Sequence, residues 1–304
     1  MIRSLHLADI VALLLFLGKS PINEARSRDR IDIKGEGLLI AVPLLKDLLI
    51  SGDKQHSFIY VHRGLIQGLV SLQRCRGPRA WMVEHLLLIP GHEDHCVDLL
   101  ERLGFTGDKI KAERIFLRLG SSSPSVDMAR QAGFNHYLTE YLYCLREAHQ
   151  TKLQEPPPAL RPPSSADEHG LFRLYSVVAP QKVRYAEGMT LEEWCQSRDK
   201  DAPRELVSES GGEISAWLRI RQDRMSGQFD IMTRLEAGEL TNLVEYSLSM
   251  LKGRNAIYCL VPEFQPQLRR ILEYKGFSQV GEYFCLSKQL AVRVCEPQLV
   301  PLRA

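Results

Sequence analysis

The chain has 304 residues, of which 44% are hydrophobic and 25% are charged, and this composition is typical of a globular protein. It excludes a disordered chain, a collagen-like repeat and a polytopic membrane protein. The 39 basic and 37 acidic residues nearly balance, so the charge does not indicate a nucleic-acid-binding surface. The seven cysteines contain no CxxC pair, which favours reduced thiols and a cytoplasmic protein over a disulfide framework.

The first distinctive segment is the apolar run 10–17, which follows Asp9 and precedes Gly18. The run is too short to cross a bilayer. It also lacks the small-residue cleavage site of a secretory signal. Asp9 is a suitable N-cap and Gly18 a suitable stop, so the pattern predicts a helix over 10–17 and no membrane association.

The segment 154–166 contains five prolines, which exclude a helix or a central strand. Its composition is typical of an extended spacer. We therefore predict an N-terminal domain over 1–150, a Pro-rich linker over 151–169 and a C-terminal domain over 170–304. Each domain is long enough to bury its own core.

The two halves repeat one pattern. Each ends on a Gly-Phe pair followed closely by Glu-Tyr, at 133–134 and 140–141 and again at 276–277 and 282–283. Upstream, glycine turns at 62–64 and 210–212 separate apolar runs and predict two β-hairpins. A period of about 150 residues indicates a duplicated domain and not a solenoid.

Strand and helix signals alternate in both halves, which predicts a mixed α/β sheet. A short strand is expected to open each half, at 2–5 and at 172–178. In the first half we predict strands 82–89, 114–119 and 136–146 and helices 93–103 and 125–132. In the second half the corresponding strands are 228–235, 256–261 and 279–290, and the helices are 238–251 and 265–275.

The segments 126–134 and 268–277 carry the most specific resemblance. Both are similar to the last helix of the GNAT superfamily of acyl-CoA N-acyltransferases, which a Gly-Phe turn connects to the final long strand. The order of elements in each half also resembles that family, and the tandem arrangement resembles mycothiol synthase. The resemblance implies two tandem GNAT-like α/β domains and the transfer of an acetyl group from acetyl-CoA to an amine.

The resemblance also implies a site for acetyl-CoA at the end of the fourth strand, where glycine-rich backbone holds the pyrophosphate at a helix N-terminus. The first half is favoured, because its apolar strand end leads into a proline that the second half lacks. The residues implied for cofactor binding are Leu87, Leu88, Ile89, Gly91 and His92.

The phosphate loop departs from the family pattern in both halves. The segment 90–100 lacks a Gly-x-Gly pattern, and Glu93 and Asp94 bring negative charge to the place of the pyrophosphate. The segment 235–243 has one glycine and two carboxylates. These departures weaken the prediction that either half binds acetyl-CoA.

The acid and base of the family are also incompletely matched. Ala129 and Leu272 stand where the family often has a helix tyrosine that protonates the departing thiolate. The family often uses a fourth-strand glutamate as base, and Glu84 is the matching residue in the first half. Asp230 is the nearest carboxylate in the second half. We therefore predict Glu84 as the catalytic base.

Two further clusters have simpler interpretations. His92, His95 and Cys96 are spaced so that one helical turn brings them together, as zinc ligands require. No second cluster supplies a further ligand, so we predict a polar helix start and no metal site. Interleaved aspartates favour a solvated hairpin over a phosphate site for the basic residues Arg219, Arg221 and Arg224.

Two functions stay open at this point. The first is an acyl-CoA-dependent N-acetyltransferase acting on a small-molecule or peptide amine. The second is a non-catalytic GNAT-like binding protein, which the loss of the phosphate loop and tyrosine in both halves favours. The region after Ile89 distinguishes them: a splayed strand with free N–H groups supports transfer, and a filled groove supports binding. Neither nucleic acid nor a membrane is an expected partner.

Overall fold

The computed structural model describes residues 1–26, 55–75, 79–91, 94–110, 112–146, 160–197, 204–234 and 236–290. These residues form one mixed sheet with helices on both faces. The first half contributes strands β1 (Ile2–Ser4), β2 (Ile22–Asn23), β3 (Gln55–His62), β4 (Leu65–Arg74), β5 (Ala80–Leu88), β6 (Arg114–Gly120) and β7 (Asn135–Arg146). The second half contributes β8 (Leu160–Arg161), β9 (Arg204–Ser210), β10 (Glu213–Gln222), β11 (Ser226–Thr233), β12 (Ala256–Pro262) and β13 (Ser278–Gln289).

The helices of the described residues are α1 (Ile10–Leu17), α2 (His95–Ile110), α3 (Ser125–Gln131), α4 (Glu168–Val178), α5 (Gln181–Glu187), α6 (Leu191–Ser197), α7 (Ala237–Met250) and α8 (Pro266–Tyr274). The predicted helix over 10–17 is confirmed as α1. Short 3₁₀ turns, Leu7–Asp9 and Ser165–Asp167, lead into α1 and α4. No helix in these ranges is long and apolar enough to cross a membrane.

The last strand of each half is exchanged with the other half. The sheet order is β1-β3-β4-β5-β6-β13-β7-β12-β11-β10-β9-β8, with β2 added beside β5. Strand β13 therefore lies between β6 and β7, and β7 lies between β13 and β12. Each half has one parallel pair, β5–β6 or β11–β12, and the strand next to that pair comes from the other half. The two halves therefore share one continuous sheet.

The exchange places both layers of late helices on the same face of the sheet. Phe284 of β13 packs against the first core, which α2 and α3 cover, and Tyr141 of β7 packs against the second core, under α7 and α8. Phe284 is paired with Thr139, which has the same orientation as Tyr141. Helices α1, α4 and α5 cover the opposite face.

The predicted hairpins are confirmed. The β3–β4 turn has Arg63 and Gly64 at φ values of 49° and 78°, and the β9–β10 turn has Gly211 and Gly212 at 61° and 77°. Two successive positive φ values are typical of the tight hairpin turns that follow the twist of the strands. Arg63 is the one non-glycine residue among these four positions.

The strand predicted at 172–178 is wrong, because these residues lie in helix α4. Leu171 and Leu174 are both buried at a spacing of three, which is a helical and not a strand period. The strand that opens the second half is instead β8, which pairs with β9. It lies inside the segment predicted as linker, of which residues 151–159 are outside the described ranges.

The duplication is visible in an ion pair that both halves build in the same way. Arg3 donates two hydrogen bonds of 2.6 Å to Asp9. Arg161 donates two, of 2.7 and 2.8 Å, to Asp167. Each aspartate also accepts a hydrogen bond from a backbone N–H three residues earlier. The pair thus ties the opening strand of each half to the helix that follows it.

This ion pair makes stability depend on pH. Hydrogen bonds from Arg3 lower the pKa of Asp9 to about 2. A lowered carboxyl pKa contributes stability that is complete above the unfolded value of about 4 and is lost as the pH falls through the folded value. We expect Asp9→Asn to lower the free energy of unfolding by about 1 kcal/mol at pH 7, because water screens a partly exposed pair. Denaturant unfolding should show this difference narrowing from pH 4 towards pH 2, and a constant difference would contradict the assignment.

A polar contact fixes the exchanged strand β7 to the second half. Tyr143 of β7 is buried in the second core, and its hydroxyl donates to Glu273 Oε1 at 2.7 Å. The same hydroxyl accepts from Arg269 Nε at 3.3 Å. The Arg269 guanidinium carbon lies 3.9 Å from the ring centroid of Tyr141. Helix α8 thus holds β7 by two aromatic residues.

Removing this hydroxyl should weaken the exchange without changing the core. We expect Tyr143→Phe to lower the free energy of unfolding by about 1–2 kcal/mol, because the hydrogen bond is made to a charged carboxylate. Urea unfolding measures the change. The matched control is Tyr274→Phe, which should leave the free energy of unfolding unchanged because Tyr274 is 86% exposed. Equal losses in the two variants would show that the hydroxyl contact is unimportant.

Candidate functional site

A first groove lies between β5 and β6. These parallel strands pair from Ala80↔Arg114 to Met82↔Phe116 and then diverge, although both continue for several residues. Divergence leaves main-chain N–H and C=O groups without a neighbouring strand, and such groups need partners when they are buried. An extended segment of the chain, residues 22–26, lies in this gap. We call this segment the plug.

On the β5 wall, the plug uses both main-chain groups of Leu86. The carbonyl of Leu86 accepts from the N–H of Glu24 at 2.9 Å. The N–H of Leu86 donates to the side-chain Oδ1 of Asn23 at 3.0 Å. The β5 wall is therefore satisfied by the chain itself.

On the β6 wall, the N–H of Arg26 donates to the carbonyl of Arg118 at 2.9 Å. Ala25 forms a β-bridge with Leu119. The Ala25 side chain is only 1% exposed and belongs to the first hydrophobic core. The plug thus joins both walls, and the groove is filled.

The residues predicted to bind the cofactor lie around this filled groove. Leu87 and Leu88 belong to the β5 wall and pair with the two residues of β2. Ile89 is half-buried, and Gly91 is exposed with a φ of 82°. His92 lies outside the described residues. Their role in binding acetyl-CoA stays a prediction.

The predicted base, Glu84, is half-buried on β5. It precedes His85, which is buried and has Nδ1 2.9 Å from Ser71 Oγ. Glu84 lies four residues beyond the first parallel pair of its groove, and Asp230 lies four residues beyond the equivalent pair, Ser226↔Ala256. The catalytic role of Glu84 stays a prediction.

The residues at the start of α2 contact different neighbours. The His95 ring stacks on Tyr60 at a centroid distance of 3.7 Å, and its Nε2 lies 3.1 Å from Gln67 Oε1. Cys96 is buried in the first core, and burial raises the pKa of its thiol to about 12. In the described ranges no three potential metal ligands lie together.

A second groove lies between β11 and β12. Its strands pair from Ser226↔Ala256 to Phe229↔Cys259 and then diverge, while β11 continues to Thr233 and β12 to Pro262. Within the described ranges, no strand pairs into this gap. The side chains along the diverging walls are buried, with at most 5% exposure, at Ile231, Leu260 and Val261.

A buried ion pair stands beside the second groove. Arg219 donates to Asp230 Oδ2 from Nε at 3.0 Å and from Nη2 at 2.7 Å, and both residues are buried. The interpretation of Arg219 as part of a solvated hairpin is therefore wrong. Its place on β10, directly opposite Asp230 on β11, explains its burial. Arg221 is half-buried, and Arg224, in the following turn, is exposed as expected.

Helix α7 begins at Ala237, just beyond the end of β11. Helix N-termini offer free N–H groups and a positive dipole end, which favour a phosphate. Gly238 leaves this end open, since a Cβ there would meet no atom within 4 Å. Glu236 and Glu239 add carboxylates to the same turn, which opposes a phosphate. The backbone at the start of α7 therefore suits a pyrophosphate, whereas the two carboxylates there would repel it.

The exchanged strand β7 pairs with the edge of β12 that faces away from this second groove. Its Glu140 pairs in register with Pro262 at the end of β12 and forms a 2.5 Å ion pair with Arg118 of β6. The thiol of Cys285 lies between them on β13 and donates to Glu140 Oε2 at 3.2 Å. The buried cluster therefore links three neighbouring strands of the shared sheet.

Sequence reasoning missed the plug and the Arg118–Glu140 pair. Leu86 and Asn23 are 63 residues apart, so no local period reveals their contact. Pro21 is the one local signal, because proline excludes a continuing helix and favours extended backbone. The Arg118–Glu140 pair depends on the strand exchange, which sequence patterns do not specify.

Comparisons with known proteins give the fold. No protein-family model matches the sequence, and no curated protein matches it. The structure is similar to a GCN5-related N-acetyltransferase from Sphaerobacter thermophilus, with a TM-score of 0.58, 16% identity and 95% of each chain covered. It is also similar to a putative acetyltransferase from Pyrococcus horikoshii, with a TM-score of 0.55, 12% identity and coverage of 96% and 89%.

A third similar structure is a tandem GNAT protein from the clavulanic acid biosynthesis pathway, with a TM-score of 0.52 and 13% identity. The match covers 97% of this chain and 99% of that one. The chain therefore has the GNAT fold, a mixed α/β fold of two tandem GNAT-like halves. The similarity to mycothiol synthase stays a prediction.

The Arg219–Asp230 pair allows a test of whether Arg219 is structural. We expect Arg219→Met to lower the free energy of unfolding by about 3–5 kcal/mol, because it leaves a buried carboxylate without its partner. The control is Arg224→Met in the exposed turn, which should change stability by less than about 0.5 kcal/mol. Thermal or urea unfolding measures both. A small loss at Arg219 would show that the ion pair contributes little to stability.

Proposed function

We propose that the protein is an acyl-CoA-dependent N-acetyltransferase whose working groove is the second one, between β11 and β12. The observation that carries the proposal is the contrast between the grooves. The plug fills the first groove, and no strand of the described ranges enters the second. The fold shared with N-acetyltransferases supports acetyl-CoA as the donor.

In this proposal the extended thioester arm lies between the diverging strands. Its amides form hydrogen bonds with main-chain groups of β11 and β12 beyond the point where these strands pair with each other. The buried walls exclude water from the thioester carbonyl, and the start of α7 faces the diphosphate. Holding donor and amine in one place removes much of the entropic barrier to their reaction.

The reaction is a direct displacement. The neutral amine nitrogen attacks the thioester carbonyl carbon, the C–N bond forms, and the C–S bond breaks. The thiolate of CoA leaves, and the proton lost by the amine passes to a base or to water. The acceptor is a small-molecule or peptide amine.

The base differs between the two halves. Glu84, the predicted base, lies on a strand of the first groove, which the plug fills, so it has no role in transfer at the second groove. Asp230 has the corresponding place in the second groove, where Arg219 holds it in a buried ion pair. This ion pair suits Asp230 to orienting the strand wall more than to accepting a proton. In this proposal the proton of the amine therefore passes to solvent in the second groove.

A cytoplasmic site of action accords with the cysteines, since the six in the described ranges are all free. Acetyl-CoA is the proposed co-substrate, and the proposal involves no metal. The alternative function is that of a non-catalytic GNAT-like binding protein. The filled first groove favours this alternative, and so do Glu236 and Glu239 at the start of α7.

Matched glycine substitutions test the proposal. Gly238 begins α7 in the second half, and Gly91 follows β5 in the first, and a Cβ at either site meets no atom within 4 Å. Aspartate is tolerated at both places, since it favours helix starts and adopts positive φ more readily than most residues. We expect Gly238→Asp to weaken acetyl-CoA binding at least tenfold by charge repulsion, and Gly91→Asp to leave it unchanged.

Isothermal titration of the full chain with acetyl-CoA measures both effects. The opposite pattern, with loss only in Gly91→Asp, would return the site to the first groove and to the residues predicted there. Transfer to an amine would then be tested with Glu84→Gln. Absence of binding at millimolar acetyl-CoA, by heat and by thermal shift, would exclude transfer and leave the binding protein.

A further inference from the structure

We infer that the plug is a built-in peptide ligand of the first groove, which closes that half to acyl-CoA and leaves one donor site per chain. The closure of the first groove stands on its own contacts. Only the statement that the remaining site lies in the second half rests on the proposed function.

The plug binds as an added strand would. It pairs with Leu88 and Leu87 on one wall, hydrogen-bonds Leu86, and then crosses to Arg118 and Leu119 on the other. Main-chain hydrogen bonds of this kind are how proteins recognise an extended peptide at a sheet edge. An extended thioester arm carries amides that need the same wall groups, so the two occupants exclude each other.

Side chains make the binding specific to this segment. Asn23 replaces a main-chain acceptor with its own Oδ1. Glu24 accepts a hydrogen bond from the hydroxyl of Ser123, in the turn before α3. Ala25 fits into the first core with almost no exposure. A segment anchored by backbone, two polar side chains and core burial is part of the fold.

The chain enters the plug through a turn that follows α1 directly. Ser20 has a φ of 52°, in the left-handed region that favours glycine over other residues. Pro21 follows and is buried. The N–H of Ser20 donates to the carbonyl of Leu17 at the end of α1, and the turn directs the chain from this helix into the plug.

The second half treats the same stretch of chain differently. After α4, Ala179 and Pro180 lead directly into α5, which packs on Leu138 of β7 through Val183. The chain segment that fills the first groove thus has a counterpart that lies over the shared sheet instead. The duplication has therefore kept the fold of both halves while closing one groove.

Hydrogen exchange on the full chain tests the inference with S-acetylpantetheine as the probe, which lacks the diphosphate and so avoids the acidic loops. We expect the amides of 84–90 to be protected without the probe and unchanged by it. We expect the amides of 226–234 to exchange at least tenfold more slowly with it. Added protection at 84–90 on binding would overturn the inference, and so would fast exchange there without the probe.

The same experiment separates the two proposals. If the amides of 84–90 are protected and the probe changes exchange in neither segment, the inference about the plug is supported and the proposed transferase function fails. If both segments respond, transfer survives and the plug is refuted.

A pair of variants at one position isolates the backbone contact. Glu24→Pro removes the N–H that donates to the carbonyl of Leu86. Glu24→Gln keeps that N–H and also keeps a side-chain oxygen that accepts from Ser123. We expect the Pro variant to expose 84–90 and bind a second equivalent of the probe, and the Gln variant to resemble wild type. A folded Pro variant with unchanged protection and stoichiometry would refute the inference. If the Pro variant does not fold, the wild-type exchange pattern decides.

Discussion

The antiparallel pairing of β7 with β13 is the constraint on which the rest of the structure depends. Each of these strands ends one half and completes the sheet of the other. Without the exchange, β6 and β12 would present unpaired edges inside the molecule, and each core would lose an aromatic wall. The two halves therefore share one sheet, although each repeats the same order of elements.

Buried charge fixes the register of this exchange. Arg118 and Glu140 reach across β13 to each other, and Cys285 lies between them. Burial raises the pKa of the Cys285 thiol above its usual range, so the thiol stays a neutral donor. A shift of β7 by one residue would send Glu140 to the opposite face and leave the buried Arg118 without this carboxylate. The cluster thus selects one pairing among several apolar alternatives.

Local patterns predict most elements of this fold, because the spacing of apolar residues over a short stretch of chain distinguishes helix from strand. The helix over 10–17, both hairpins and the Gly-Phe turns follow from such signals. The error at 172–178 arises where a short apolar run fits either period. The exchange, the plug and the burial of Arg219 depend on contacts between distant strands, which no local period contains. The sequence therefore left open whether the first groove is empty or filled, and the roles of the residues predicted there stay predictions.

The exchange also has a consequence for synthesis of the chain on the ribosome. The partner of β6 and β7 is the last strand of the second half, and more than a hundred residues separate it from β7. At translation rates of about 5–20 residues per second, synthesis of the second half takes roughly ten seconds. During this time the edges of β6 and β7 that β13 covers in the folded protein are unpaired. Such edges are templates for pairing with other chains. We therefore expect the nascent first half to be prone to aggregation until β13 has been synthesised.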